Sequence, residues 1–325
     1  MGRSAQVAHV DLVLKVISGS GAANSTLAAS WQRSRRLHAL DPASSRPSLR
    51  LSPTETAEAK DRLGPLLGVA QCALDRLFLA VGGVGCAVML TDRNGVILDR
   101  RGAGGDDATF NGWGLWTGAV WSEKFEGTNG IGTCLVEQRP VTIERDQHFF
   151  ARNALLSCMT APIFDEHGAL AAAIDVSSCR TDLTQGFTRL IATAVADAAR
   201  ATETETFRGA FPHARILLGP ASERQGASLL AVDRDDLVVG ATRAARLAFG
   251  VDARSLATPI PASDLIGADR EGDCIDAAER AVLQRALARS KGNVSKAAKD
   301  LAMSRATLHR KMKQFAFARR ARRAP

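Results

Sequence analysis

The segment RSKGNVSKAAKDLAMSRATLHRKMKQF, Arg289 to Phe315, constrains this chain more than any other. From Lys291 to Pro325 eleven Lys and Arg stand against one acid, Asp300; the formal charge of the whole chain is +8, so the first 290 residues sum to −2. A near-neutral body with a compact basic end points to a local polyanion contact. A solvated charge run would give the same count, and periodicity separates the two.

Asp276-Ala277-Ala278-Glu279 has the spacing of a capping box, which predicts a helix to about Arg289 with Val282, Leu283, Ala286 and Leu287 on its apolar face. Gly292 suits the left-handed position that ends a helix. Asn293 then caps a short helix whose Val294, Ala297, Ala298 and Leu301 point inward. Ser304 caps a third, with Leu308, Met312 and Phe315 at i, i+4 and i+7 and with Arg310, Lys313 and Gln314 on the opposite surface, flanked by Thr307 and His309. Two short helices, a tight turn and a basic second helix make a helix-turn-helix, whose second helix lies in the major groove of DNA.

GNVSKAAKDLAMSRATLHRKMKQF also resembles the Fis-type DNA-binding domain of bacterial enhancer-binding regulators, over about 40 residues. That pattern runs close to G-N-x-S/T-x-A-A-x-x-L-G-I/V-S/N-R-x-T-L-x-R/K-K-L/M. The resemblance implies that Asn293, Ser295 and Lys296 touch phosphates, while Ser304, Arg305, Thr307, Arg310 and Lys311 line the groove. His309 stands where Tyr or Arg is common in the family. Ala302 replaces the usual turn glycine, so a strained left-handed residue is predicted there. Helix N-terminal amides hold phosphate, and an arginine near the start of the recognition helix pairs with guanine.

At 325 residues the chain has room for two or three domains. No apolar run reaches the roughly 18–20 residues of a membrane span. Val7 to Ile17 is broken by His9, Asp11 and Lys15, which reads as an amphipathic helix rather than a signal peptide, so a cytoplasmic protein with no membrane partner is expected. The six cysteines are scattered without CxxC or Cys/His spacing, which argues for reduced, mostly buried thiols and against a disulfide framework or a metal. No cofactor is expected.

The middle of the chain predicts an α+β fold. A helical stretch runs from about Ser52 to Leu79, with Gly64-Pro65 as a possible break. Strands are expected at Val84–Thr91, Val96–Arg101, Val141–Ile143, Met159–Phe164 and Ala169–Val176, then a helix from Leu183 to about Thr206. Strands with helices at both ends and no βαβ glycine fingerprint favour an antiparallel sheet between helical layers. SLLAVDRDDLVVGATRAARLAFG adds strand, turn, strand and helix and resembles the opening of a PAS domain, while Thr258–Pro261 reads as a linker.

Several separated motifs between Ser30 and Arg200 resemble the GAF domain of regulators of the acetoin-catabolism type: Trp121-Ser122-Glu123, Gly127-Thr128-Asn129, Ile131-Gly132-Thr133, Pro140-Val141, His148-Phe149, Cys158 and Ala161-Pro162-Ile163. GAF domains bind small molecules between sheet and helices, so the resemblance implies an input module for an unidentified small-molecule effector. Candidate ligand contacts are Trp113, Trp116, Trp121, His148 and Cys158. The tryptophans serve equally as pocket wall or core, and for His148 a structural hydrogen bond to the following loop is the better reading. Such regulators carry a central ATPase, but its G-x-x-x-x-G-K-S/T loop occurs nowhere here.

The expected organisation is an N-terminal helical extension at 1–51, a GAF-type antiparallel sheet flanked by helices at 52–206, a small PAS-like α/β connector at 207–271, an all-α Fis-type helix-turn-helix at 272–318, and a basic tail at 319–325. The expected function is a ligand-responsive transcriptional regulator, binding double-stranded DNA as a homodimer without hydrolysing ATP. A GAF-fold redox enzyme or thiol sensor using Cys134 and Cys158 is the alternative, and an architectural DNA-binding protein a further one.

Overall fold

The computed structural model describes residues 3–19, 25–220, 226–252, 254–258, 260–267 and 275–315. The chain forms two compact units that divide after Ile260. The first opens with α1 (Arg3–Ser18) and α2 (Thr26–Gln32), the latter running into a π-helical turn over Arg33–Leu37. The predicted helix beyond Ser52 is two helices, α3 (Pro53–Leu63) and α4 (Pro65–Val81), bent by 95°. Gly64 takes φ +59 and ψ −137, and Pro65 opens α4 at a position where its missing N–H has no helical partner to lose. Among the described residues no single helix is long and apolar enough to cross a membrane.

Next come β1 (Cys86–Asp92), β2 (Ile97–Arg101), the short helices α5 (Asp107–Gly112) and α6 (Glu123–Glu126), α7 (Gly130–Glu137), β3 (Val141–Glu144), β4 (Ser157–Phe164), β5 (Leu170–Ser178) and the long α8 (Gln185–Ala210). The strands form one antiparallel sheet in the order β2-β1-β5-β4-β3. Side chains alternate across it, and the alternation decides what each face does. Val88, Leu90, Met159, Ile163, Ile174 and Val176 meet the buried stripes of α4 (Leu66, Ala70, Leu74, Leu77, Val81) and α8 (Ile191, Val195, Ala199). The other face sets Ala87, Met89, Cys158 and Ala173 against Phe110, Leu115, Trp121 and Ile131.

A smaller sheet, in the order β6-β7-β8-β9, follows α8: β6 (Arg215–Leu218), β7 (Leu229–Val232), β8 (Leu237–Ala241) and the two-residue β9 (Ile260–Pro261), with α9 (Arg243–Phe249) after β8. The predicted strand-turn-strand-helix is β7, β8 and α9. β6 was not expected, and β9 lies within the stretch read as a linker. Phe207 of α8 packs on Leu229 and Ala231, joining this sheet to the first.

The second unit contains α10 (Ala262–Ile266), α11 (Ile275–Arg289), α12 (Val294–Asp300) and α13 (Arg305–Gln314). Asp276 already lies inside α11, so it is not the cap that its spacing predicted; residues 268–274, like the basic tail 319–325, fall outside the described ones.

Candidate nucleic-acid interface and sensor core

The three C-terminal helices close on a small apolar centre of Leu283, Ala286, Ala297, Ala298 and Leu308, with Val294, Leu301, Met312 and Phe315 around it. Asn293 Oδ1 accepts the Lys296 amide at 3.1 Å, and Ser304 Oγ accepts the Thr307 amide at 3.0 Å. Both caps therefore stand where the sequence put them. Ala302 adopts φ +50, the left-handed conformation expected of the missing turn glycine.

What remains outward is a basic face. Arg305, His309, Arg310 and Lys313 are exposed on α13, and Ser295 and Lys296 are exposed on the first turn of α12. The other candidates have internal roles. Thr307 Oγ1 lies 2.8 Å from Ser304 Oγ, and Lys311 is half-buried with its ammonium paired to Glu279 of α11. Asn293, Ser304, Thr307 and Lys311 thus hold the shape on which the exposed cations are displayed.

In the first unit the candidate ligand contacts fall into two groups. Trp113 and Trp116 are half-buried, and Trp116 lies under the Arg100 guanidinium at 4.3 Å from ring centroid to Cζ. Trp121, His148 and Cys158 are packed shut, and Trp121 Nε1 donates to the Gly114 carbonyl at 2.8 Å. His148 and Cys158 belong to a buried polar chain that runs into the centre of the sheet. His148 Nδ1 meets the Arg145 carbonyl at 3.0 Å, and Nε2 lies 3.4 Å from Cys158 Sγ. Sγ is 3.1 Å from Ser177 Oγ, which donates to Asp175 Oδ2 at 2.7 Å. The cross-strand pairs Cys158↔Ser177 and Thr160↔Asp175 set this arrangement, and Thr160 donates to the second oxygen of Asp175.

Burial drives the electrostatics of this chain. It lowers His148 to about 4 and raises Asp175 to about 6, and it pushes the Cys134 and Cys158 thiols well up. A reactive thiol needs the opposite shift and an accessible sulfur, so neither cysteine is set up as the redox centre that the alternative required. The sequence reading missed Asp175, Thr160 and Ser177, although a carboxylate inside the apolar run AAAIDVSS was a visible signal. It named Glu123 within a motif but gave it no role; Glu123 is buried under the N-terminal helices, where Arg33 grips it through Nε and Nη2 at 2.9 Å each and Ser30 donates to it.

A GAF-type antiparallel sheet between helical layers and a second small sheet, together with a compact helix-turn-helix, define the two-part architecture of a bacterial transcriptional regulator. Residues 4–199 match the profile of the MimR N-terminal domain, and the chain belongs to that family. Residues 275–315 match the Fis family of bacterial regulatory proteins. The acetoin catabolism regulatory protein of Cupriavidus necator is 36% identical over 149 residues, which are 46% of this chain and 22% of that one. The propane 2-monooxygenase operon transcriptional activator MimR of Mycolicibacterium smegmatis is 33% identical over 135 residues, 41% of this chain and 22% of that one. The matches thus span about a quarter or less of these relatives' length. In the E. coli DhaR(N)–DhaL complex, a chain 16% identical superposes with a TM-score of 0.52 over 74% of this chain and 80% of its own, which establishes a shared fold.

Proposed function

We propose that this protein is a sequence-specific DNA-binding transcriptional regulator whose first unit senses a small molecule, and that it acts as a homodimer in the compartment that holds the chromosome. The observation that carries this reading is the exposed cationic face of α13, Arg305, His309, Arg310 and Lys313, mounted on a helix whose Leu308 is fully buried. Arg305 and Arg310 read base edges, with His309 beside them. Ser295 and Lys296 meet phosphate at the first turn of α12, with Asn293 setting that turn. Ser304 and Thr307 fix the start of the reading helix, and Lys311 steadies it through Glu279. The transcriptional regulators among the relatives support the same role.

One helix-turn-helix reads few bases, so two copies on a two-fold site, with half-site centres roughly 34 Å apart, supply the specificity. No ATP-driven step belongs to this reading, since no Gly-Lys-Ser or Gly-Lys-Thr occurs in the sequence. The test is selection of duplexes from a random-sequence pool with the full chain. The expected result is an enriched inverted repeat bound by two protomers; recovery of no common sequence would overturn the reading.

A further inference from the structure

Trp121, His148 and Cys158 are packed shut and leave no opening for an effector among them. A cleft of about 230 Å³ opens where β4, α8 and α9 meet the loop Gln138–Pro140, between the large sheet and the small one. Its size is below the roughly 300–1,000 Å³ usual for drug-sized ligands, so it suits a small molecule. Three guanidinium-bearing residues, Arg139, Arg200 and Arg243, converge on it from three separate segments. The Arg243 guanidinium lies over the Phe164 ring at 4.1 Å, which fixes its plane.

The one acid in the lining, Glu203, is half committed. Its Oε1 accepts the Phe164 amide at 2.9 Å, while Oε2 lies toward Gly226, where a Cβ would approach it to 3.3 Å. Burial holds its pKa up at about 7 even though Arg243 and Arg200 pull it down, so near neutrality the group carries a proton for much of the time and can donate it. Apart from Gln138 and Gly226 the rest of the lining is apolar, including Ala161, Pro162, Ala199 and Leu247. Three cations, an acid able to donate and a short apolar floor are complementary to a carboxylate with a small alkyl body. Arg200 also pairs with Asp197 and Arg139 lies 3.9 Å from Glu137, so Arg243, which has no carboxylate within ion-pair distance among the described residues, gains most from an anion in the cleft.

We propose that this cleft is the effector site, and that it takes a small aliphatic monocarboxylate held by Arg139, Arg200 and Arg243 with its alkyl chain on Pro162 and Leu247. This rests on the reading of the chain as an effector-responsive DNA-binding protein. It also assigns the effector a place between the two sheets rather than under the tryptophans.

The experiment is calorimetric titration of the full chain with straight-chain acids from acetate to hexanoate and with butyramide, the neutral counterpart of butyrate. At least one acid should bind, butyramide should bind about tenfold more weakly than butyrate or not at all, and Arg243→Gln should weaken acid binding about tenfold. Arg200→Gln, at a half-exposed position, should weaken it in the same direction, and thermal melting checks that both variants fold. No binding by any of the acids, equal binding of butyrate and butyramide, or unaltered affinity in the two folded variants would overturn the proposal. Titration of the selected duplex without acid separates the two claims. Intact DNA binding with no acid binding removes only the cleft, whereas absent DNA binding removes the reading on which it rests.

Discussion

Asp175 is the residue whose chemistry is most exposed to test. Burial raises its pKa to about 6, against the pull of Thr160 and Ser177, which both donate to its oxygens. The folded state therefore holds a proton that the unfolded state has already released between pH 3.8 and about 6. Unfolding releases a proton across that window, so this group's contribution to stability falls as pH rises through it and is flat above. Asp175→Asn, whose amide donates to Ser177 while its oxygen accepts from Thr160, should remove that slope. Denaturant titrations of wild type and variant between pH 4 and 7 should diverge by on the order of 3 kcal/mol, with the variant gaining as pH rises. Parallel curves would show that Asp175 stays ionised throughout. At Arg33 the expectation is simpler: Arg33→Ala strands Glu123, whose side chain is 1% exposed, and should cost about 3–5 kcal/mol in the same assay.

At the scale of elements, the C-terminal turn stores strain that a single atom change relieves. Ala302 at φ +50 occupies a conformation that costs an L-residue roughly 1–2 kcal/mol, whereas glycine adopts it freely. Ala302→Gly should raise the stability of the second unit by about 1 kcal/mol after the added entropy of the unfolded chain is counted, measured by hydrogen exchange of α12 and α13 amides. This residue and the caps Asn293 and Ser304 were legible because they depend on local spacing, whereas Asp276, read by the same rule, lies inside α11. The strands of the large sheet were legible for the same reason: an apolar run bounded by Asp-Arg-Asn-Gly or Asp-Glu-His-Gly is a strand wherever it packs. Helices α5, α6 and α7 were not, because each is set by tertiary contact rather than by periodicity. Gly130, for instance, opens α7 where a Cβ would sit 2.5 Å from Cys158 Cβ and 2.6 Å from Thr160 Oγ1. β6 was missed because Arg215–Leu218 has no fully buried residue to give it an alternating signature.

For the whole molecule, the sequence showed which end is cationic but not how its residues divide their work. Spacing alone treats Lys311 and Arg310 as neighbours on one reading helix. The fold turns the first toward Glu279 and leaves the second in solvent. The acidic and basic residues of the cleft between the sheets lie as far apart in the chain as Arg139 and Arg243, a separation no local pattern reports. The central claim is that α13 reads bases while α12 meets phosphate, and a salt titration of two variants on the selected duplex and a scrambled one tests it most directly. Lys296→Ala should weaken binding to both duplexes alike and lower the salt slope by about one per protomer. Arg305→Ala should cost about 1–3 kcal/mol per half-site on the selected duplex and far less on the scrambled one. Equal losses on both duplexes for Arg305→Ala would contradict the account, leaving the C-terminal unit as an electrostatic clamp with no base-reading helix.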